Sequence, residues 1–350
     1  MPKKMAAAVL YGKEDVRVEE VDIPSLAAGE VLIRVEAALT CGTDAKVYRR
    51  GYHARMITPP TVFGHEAAGT VAAVGEGVSE FAPGMAVVAA NSAPCETCEF
   101  CRAGRFSLCE DLLFWNGAYA EYARIPARIV QKNLLRLPEG FPFRKAAIVE
   151  PLACAVRGVA ACRIAVGQDI AIIGAGSLGL MLLQLATRQG ARVVVADRKQ
   201  GPLDVAMRLG AAAVVLADEG DLPELLLDRS PGGRGFPLVI EAVGRVETST
   251  AAVAAVRKGG TVNLFGGCAA GSNLTVDLQR FHYQELSLIA TFHHTPASVR
   301  EAYRLIVEGV IDADNYIVGE VGLSQLPGVL ADIAAGRRIH KTIVLPRSAK

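Results

Sequence analysis

The segment that most restricts the fold of this chain runs from Asp169 to Asp197. DIAIIGAG (169–176) is a short apolar run closing on glycines, LGLMLLQLATRQG (178–190) carries an apolar helical pattern, and ARVVVAD (191–197) is a second β-branched run. Strand, tight turn, helix and strand in that order form a parallel crossover unit, which belongs in a sheet covered by helices. The alternation continues through AAAVVLA, FPLVIEAVG, a helix over 247–257 and GGTVNLFGG. An α/β region with a doubly wound parallel sheet is therefore expected over 155–291.

Within it, Gly174-Ala175-Gly176-Ser177-Leu178-Gly179 is a GxGxxG that follows a strand and opens a helix. The first glycine permits the tight turn, the second lets a pyrophosphate approach the backbone, and the third lets helix and strand pack closely. The helix N-terminus adds free N–H groups and the positive end of its dipole. Glycine-rich turns are common in plain loops, but here an acid, Asp197, ends the next strand about 20 residues on, as a dinucleotide site requires. Asp197 suits the adenosine ribose hydroxyls of NAD. Arg198 and Lys199 follow at once and suit a 2′-phosphate, so NADP stays open.

The chain before residue 152 reads mostly as β. Runs such as VLIRV (31–35) and GTVAAVG (69–75) alternate with Ala28-Gly29 and Pro83-Gly84, the pattern of a compact antiparallel barrel or sandwich with long loops. After residue 291 come a helix around 297–309 and a last strand, KTIVLP (341–346), placed to return to the first region. The expected domains are thus 1–154 with 292–350, and 155–291.

Four of the eight cysteines, Cys95, Cys98, Cys101 and Cys109, fall in a C-x2-C-x2-C-x7-C spacing inside a lobe over about 91–115. Four thiolates can close a tetrahedron on structural zinc, leaving no position for substrate. A more open set lies outside it: Cys41, His65, Glu66 and Glu150. Catalytic zinc keeps about three protein ligands and one open position. His65 and Glu66 stand together in Gly64-His65-Glu66 at the head of a strand, where regular alternation would send them to opposite faces. Either the backbone is irregular there or one of the two acts at a distance. Taken singly, each of these residues has an ordinary structural reading, and Cys154, Cys162 and Cys268 read as small core residues.

Bulk properties narrow the class. Hydrophobic residues make up 51% and charged residues 21%, as in a globular protein, and the net charge is +1. That balance gives no reason to expect nucleic acid as a partner. MPKKM leads into an apolar stretch too short for an export signal, and nothing approaches the roughly 18 apolar residues of a membrane span. A cytoplasmic location follows as the expectation, with clustered cysteines as metal ligands rather than disulfides.

CGTD at 41–44, GHE at 64–66, the cysteine lobe at 95–109, GAYAEY at 117–122, EPLA at 150–153 and the glycine turn at 174–179 occur in one order along nearly the whole chain. In these motifs the chain resembles the zinc-dependent medium-chain alcohol and polyol dehydrogenases, and most of all the sorbitol- and threonine-dehydrogenase-like branch. The resemblance implies a GroES-like catalytic domain, a Rossmann domain, and two zinc ions per chain, one catalytic and one structural. It implies Cys41, His65 and Glu150 as ligands of the catalytic zinc, Glu66 as a close or exchanging ligand, and Asp44 as the acceptor that fixes the His65 tautomer. It also implies a homotetramer or homodimer joined through edge strands of the nucleotide domain. Thr43 can take the proton from a bound alcohol, but many relatives carry His where this chain has Lys46, so Lys46 or water must continue the relay.

Cleft candidates are Tyr48, Phe114, Trp115, His293 and His294. The basic run of Arg49, Arg50, His53 and Arg55 is either a solvated loop or a site for a carboxylate or phosphate, which would favour threonine or a phosphorylated polyol. Neutral polyols and secondary alcohols are the broader expectation. The rivals are a zinc-free quinone or enone reductase, a non-catalytic zinc- and nucleotide-binding redox sensor, and a zinc-ribbon nucleic-acid binder. The first two have no need of Cys41, His65 and Glu150, and the charge balance disfavours the third.

Overall fold

Strand Val31–Leu39 organises the N-terminal region because it is apolar along almost its full length and is paired on both sides. The computed structural model describes residues 2–53, 55–338 and 340–348. Two units emerge, Met1–Ala153 with Thr295–Lys350, and Cys154–His294. The first break falls inside the helix Val149–Cys162.

In the first unit the larger sheet has the order Leu134–Arg136, Ala86–Ala89, Ala67–Val74, Val31–Leu39, Lys341–Leu345, Ile317–Gly322, with Tyr122–Ile125 also paired to Val31–Leu39. Lys4–Gly12 pairs antiparallel with Asp15–Asp22 and Thr61–Val62. Their inward faces supply one apolar core that includes Leu10, Ile33, Phe63, Val71, Tyr119 and Ile129, and burial of such side chains contributes roughly 1.5–3 kcal/mol each. The C-terminal strand Lys341–Leu345 lies antiparallel to the end of Val31–Leu39. It is pinned there by the Thr40 N–H donating to the Thr342 carbonyl at 3.0 Å and the Thr342 N–H donating to Thr40 Oγ1 at 2.9 Å. The helix Pro296–Val307 starts at a capping box of Thr295 and Ser298, with Pro296 pre-set for the first turn.

The β reading of residues 1–152 misses one functional helix, Gly42–Arg50. Its cap is Cys41, whose sulfur accepts the Thr43 N–H at 3.4 Å while Asp44 Oδ2 accepts the Cys41 N–H at 3.0 Å. Sulfur in a cap position carries none of the usual Ser, Thr, Asp or Asn signal. The backbone at Gly64-His65-Glu66 is irregular, and the strand begins only at Ala67. Strand alternation therefore does not govern His65 and Glu66.

The second unit holds six parallel strands in the order Ala213–Leu216, Arg192–Asp197, Asp169–Ile173, Phe236–Glu241, Val256–Leu264, Ser287–Ala290. The order reverses between Asp169–Ile173 and Phe236–Glu241, the switch point at which such sheets bind ligands beyond their carboxyl ends. Helices including Ser177–Arg188, Gln200–Arg208 and Val246–Ala255 connect the strands, and the buried runs IVVVA-like in character, such as Val193–Ala196 and Leu238–Ile240, fill the interior. Among the described residues no helix is long and apolar enough to cross a membrane.

Candidate active site

Gly64 decides where His65 goes. Its φ of +87° lies in the region that favours glycine, and a Cβ there would stand 2.7 Å from the Tyr119 ring. The bend carries His65 and Glu66 toward the cap of the helix Gly42–Arg50, so that donor atoms of Cys41, His65 and Glu66 lie within 4.8 Å of one another. His65 is 3% exposed and Glu66 is fully buried. Such donors, brought together beneath the surface, could hold a metal ion.

Around the trio are groups that set its charge. Asp44, fully buried, places Oδ1 3.0 Å from His65 Nδ1, which orients the ring and reserves Nε2 for a ligand on the other side. Burial works against a charged His65, but Asp44 more than offsets it and raises the imidazole well above its ordinary value. Burial alone would raise the Cys41 thiol; Lys341 and His65 outweigh it and bring the thiol down to about 7. A thiol so lowered is a ready metal ligand.

Lys341 is the residue that the sequence does not reveal. It is 5% exposed, and its Nζ donates to both Glu66 oxygens at 2.6 Å and to the Thr40 carbonyl at 3.2 Å. Although burial opposes its charge, Glu66 and Cys41 push it up to about 12. Both Glu66 oxygens are thus already engaged. Glu150 stands outside the 4.8 Å trio, in the first turn of Val149–Cys162, and is 4% exposed. Burial raises its carboxyl to about 7, while His65 and Lys341 pull the other way.

Thr43 is half-buried and Lys46 exposed, three residues apart on one helix. Of the other pocket candidates, Trp115 is 4% exposed, its backbone tied to Asn91 and its ring packed among apolar neighbours. Tyr48 and Phe114 are half-buried, Arg49, Arg50 and Arg55 exposed. His53 is half-buried, and its Nδ1 accepts the backbone N–H groups of Arg55 and Met56 at 3.2 Å. In the second unit His294 is buried and its ring lies 3.9 Å from that of His293.

The cysteine lobe is a separate construction. Cys95, Cys98, Cys101 and Cys109 bring their sulfurs within 4.8 Å of one another, with Cys95–Cys101 and Cys98–Cys109 each at 4.0 Å. A zinc tetrahedron with bonds of about 2.3 Å has edges of about 3.8 Å, so the four sulfurs are already close to the required figure. Backbone N–H groups of Thr97 and Cys98 point at Cys95 Sγ, at 3.4 and 3.3 Å. Cys268, by contrast, is exposed and not a core residue, because it sits in the loop after Val256–Leu264 beside Gly266 and Gly267.

In the second unit the glycine turn is built as its spacing implies. Gly174 has φ +108° and abuts Val243, and a Cβ on Gly179 would fall 1.9 Å from the Gly174 carbonyl oxygen. Gly176 starts the helix Ser177–Arg188, which no side chain caps, and the buried Ser177 Oγ has no hydrogen-bond partner. Leu178 is half-buried in that first turn. An orphan hydroxyl at an uncapped helix start fits a phosphate-bearing ligand. Asp197 accepts the Ala175 N–H at 2.8 Å and the Lys199 N–H at 3.0 Å, so it ties the turn to the next strand, while Arg198 is exposed.

Residues 27–139 match the alcohol dehydrogenase GroES-like domain and residues 177–308 the zinc-binding dehydrogenase domain. D-arabinitol dehydrogenase 1 of Uromyces fabae is 30% identical, covering 99% of this chain and 98% of its own. Sorbitol dehydrogenase of Bacillus subtilis is 27% identical over 93% of this chain and 92% of its own. A structure described as a zinc-binding dehydrogenase of Sinorhizobium meliloti, bound to NADP, has a TM-score of 0.90 and 30% identity, covering 99% of this chain and 100% of that one. The sheets described above are accordingly a GroES-like fold and a Rossmann-like fold. With relatives matched along its whole length and both domain types in place, this chain belongs to the zinc-dependent medium-chain alcohol and polyol dehydrogenases, a family of oxidoreductases.

Proposed function

We propose that this oxidoreductase interconverts a secondary alcohol of a polyol and the corresponding ketone, with NAD as the nucleotide and two zinc ions per chain. The observation that carries the reading is the buried meeting of Cys41 with His65, whose ring Asp44 orients, separate from the four-cysteine lobe. Cys41 and His65 would hold the catalytic zinc. Glu150 rather than Glu66 would complete the set, because Lys341 occupies both Glu66 oxygens. Cys95, Cys98, Cys101 and Cys109 would hold the structural one.

Zinc, when bound, would supply Lewis acidity to the substrate oxygen, and the nicotinamide nucleotide would supply the hydride acceptor. The remaining work belongs to the chain. Thr43 Oγ1 would accept the hydroxyl proton as it releases its own, and water, or Lys46 on the same helix as it sheds a proton to solvent, would carry that proton away. Lys341 balances the negative charge gathered by Cys41 and Glu66. Ser177 Oγ and the first turn of Ser177–Arg188 would hold the pyrophosphate, with Gly174, Gly176 and Gly179 leaving room for it, and Asp197 would meet the ribose hydroxyls. A carboxylate there repels a 2′-phosphate, which supports NAD over NADP. A homo-oligomer is also proposed, through the outer strand Ser287–Ala290, where Leu288 is exposed, and the helix Leu278–Tyr283 before it, where Leu278 and Tyr283 are exposed.

The test is turnover of polyols, phosphorylated polyols, threonine and simple secondary alcohols with NAD and with NADP, on protein of measured zinc content. Polyol oxidation with NAD at two zinc ions per chain is expected. Full zinc with no nucleotide reduction by any substrate would overturn it.

A further inference from the structure

We propose that Tyr119 is a positioning residue of the catalytic metal site: its hydroxyl fixes the Asp44 carboxylate that orients His65, and so sets how firmly the metal is kept. The inference rests on the reading above that Cys41 and His65 hold zinc.

Tyr119 is fully buried, and its hydroxyl donates to Asp44 Oδ2 and lies 3.0 Å from the Leu39 carbonyl oxygen. The same Oδ2 accepts the Cys41 N–H, while Oδ1 faces His65 Nδ1. One carboxylate therefore has one oxygen held by the phenol and the Cys41 backbone and the other turned to the imidazole. The ring of Tyr119 is equally placed. It meets Phe63 edge-on, with centroids 5.8 Å apart at 83°, and it fills the space that a Cβ on Gly64 would take. Its backbone N–H donates to the Phe63 carbonyl at 2.9 Å. A single side chain thus touches both segments that deliver the donors, Leu39 to Asp44 on one side and Phe63-Gly64 on the other.

The physical consequence follows from burial. A carboxylate out of water needs its donors, and loss of one leaves an oxygen uncompensated and the group freer to rotate. Burial and the adjacent Asp44 push the phenol well above its ordinary value, so it remains a proton donor. Tyr119→Phe would remove that donor and keep the ring, and with it the packing against Phe63 and Gly64.

The experiment follows zinc release from the holoenzyme to a coloured chelator, the catalytic metal being the phase whose departure tracks loss of turnover. Tyr119→Phe should speed that phase about 10- to 100-fold, the range seen when a partner of a metal-bound histidine is removed, and leave the cysteine-lobe phase unchanged. Asp44→Asn should speed the same phase, and the double variant should add little to it, since both changes act through one carboxylate. An unchanged rate in Tyr119→Phe, equal acceleration of both phases, or additive effects in the double variant would overturn the proposal. A single release phase in the unaltered protein would instead sink the two-zinc reading beneath it.

Discussion

Two thiols in this molecule are lowered by unrelated physics. Cys95 is brought to about 6 by Thr97 and by the backbone N–H groups of Thr97 and Cys98, all within three residues. Cys41 reaches about 7 although burial opposes it, through Lys341, three hundred positions along the chain, and His65. The first belongs to a cluster assembled by a local turn, its lowering groups within three residues of it. The second belongs to a buried cluster whose charges must be balanced by residues that only the finished fold brings together. A thiol can be tuned by its own turn; the Cys41 thiol depends on distant parts of the first unit.

The comparison can be broken from either side. The largest effect is expected from Cys41→Ser, which should lower turnover by about three decades, the several kcal/mol that a metal ion contributes at ~1.4 kcal/mol per decade. Circular dichroism and the lobe zinc should be unchanged; retained turnover would remove Cys41 from the chemistry.

Next is Lys341→Met, which strands Glu66 in the core and should cost about 3–5 kcal/mol in urea unfolding. Adding Glu66→Gln should recover part of that loss, and no recovery would mean that the lysine acts elsewhere.

A third prediction uses pH. Burial holds the Glu150 carboxyl at about 7, above the 4.5 of an exposed glutamate, so the folded state binds its proton more tightly than the unfolded one. The contribution is therefore full below about 4.5 and is lost as pH rises toward 7, by up to about 3 kcal/mol. Unfolding of metal-free protein at pH 5 and 7.5 should show the decline, and Glu150→Gln should reduce it without abolishing it, because burial also raises the Glu66 carboxyl, to about 8.

The smallest effect on chemistry is expected from Cys98→Ser. Heat inactivation should quicken and one zinc ion should be lost, while undamaged molecules turn over at the original rate. A stable Cys98→Ser protein with its metal intact would deny the lobe a structural role.

What could be read in the sequence follows the same division. The cysteine spacing and the glycine turn are local, and each is complete within thirty residues, so their chemistry shows in the string. The alternation of strands and helices likewise announces the parallel sheet. The Cys41, His65 and Glu150 set became specific only through the order of motifs along the chain. Lys341 carried no signal at all: it opens an ordinary strand, KTIVL, and nothing near it says that its amine is to be buried. Tyr119 reads as one aromatic among several in GAYAEY, and its hydroxyl acquires a purpose only when Gly64 bends beneath it. The helix Gly42–Arg50 escaped notice because a cysteine caps it.

The late position of Lys341 also bears on how the molecule comes into being. A growing polypeptide leaves the ribosome N-terminus first, and the segments bearing Cys41, His65 and Glu66 emerge long before the one that neutralises them. Until the segment Lys341–Leu345 has been translated, the nascent first unit lacks both the strand that pairs with the end of Val31–Leu39 and the cation that makes the buried acid tolerable. A chain that has not yet docked this strand is thus a poor resting place, and the charge balance of the site is settled only when Lys341 reaches Glu66.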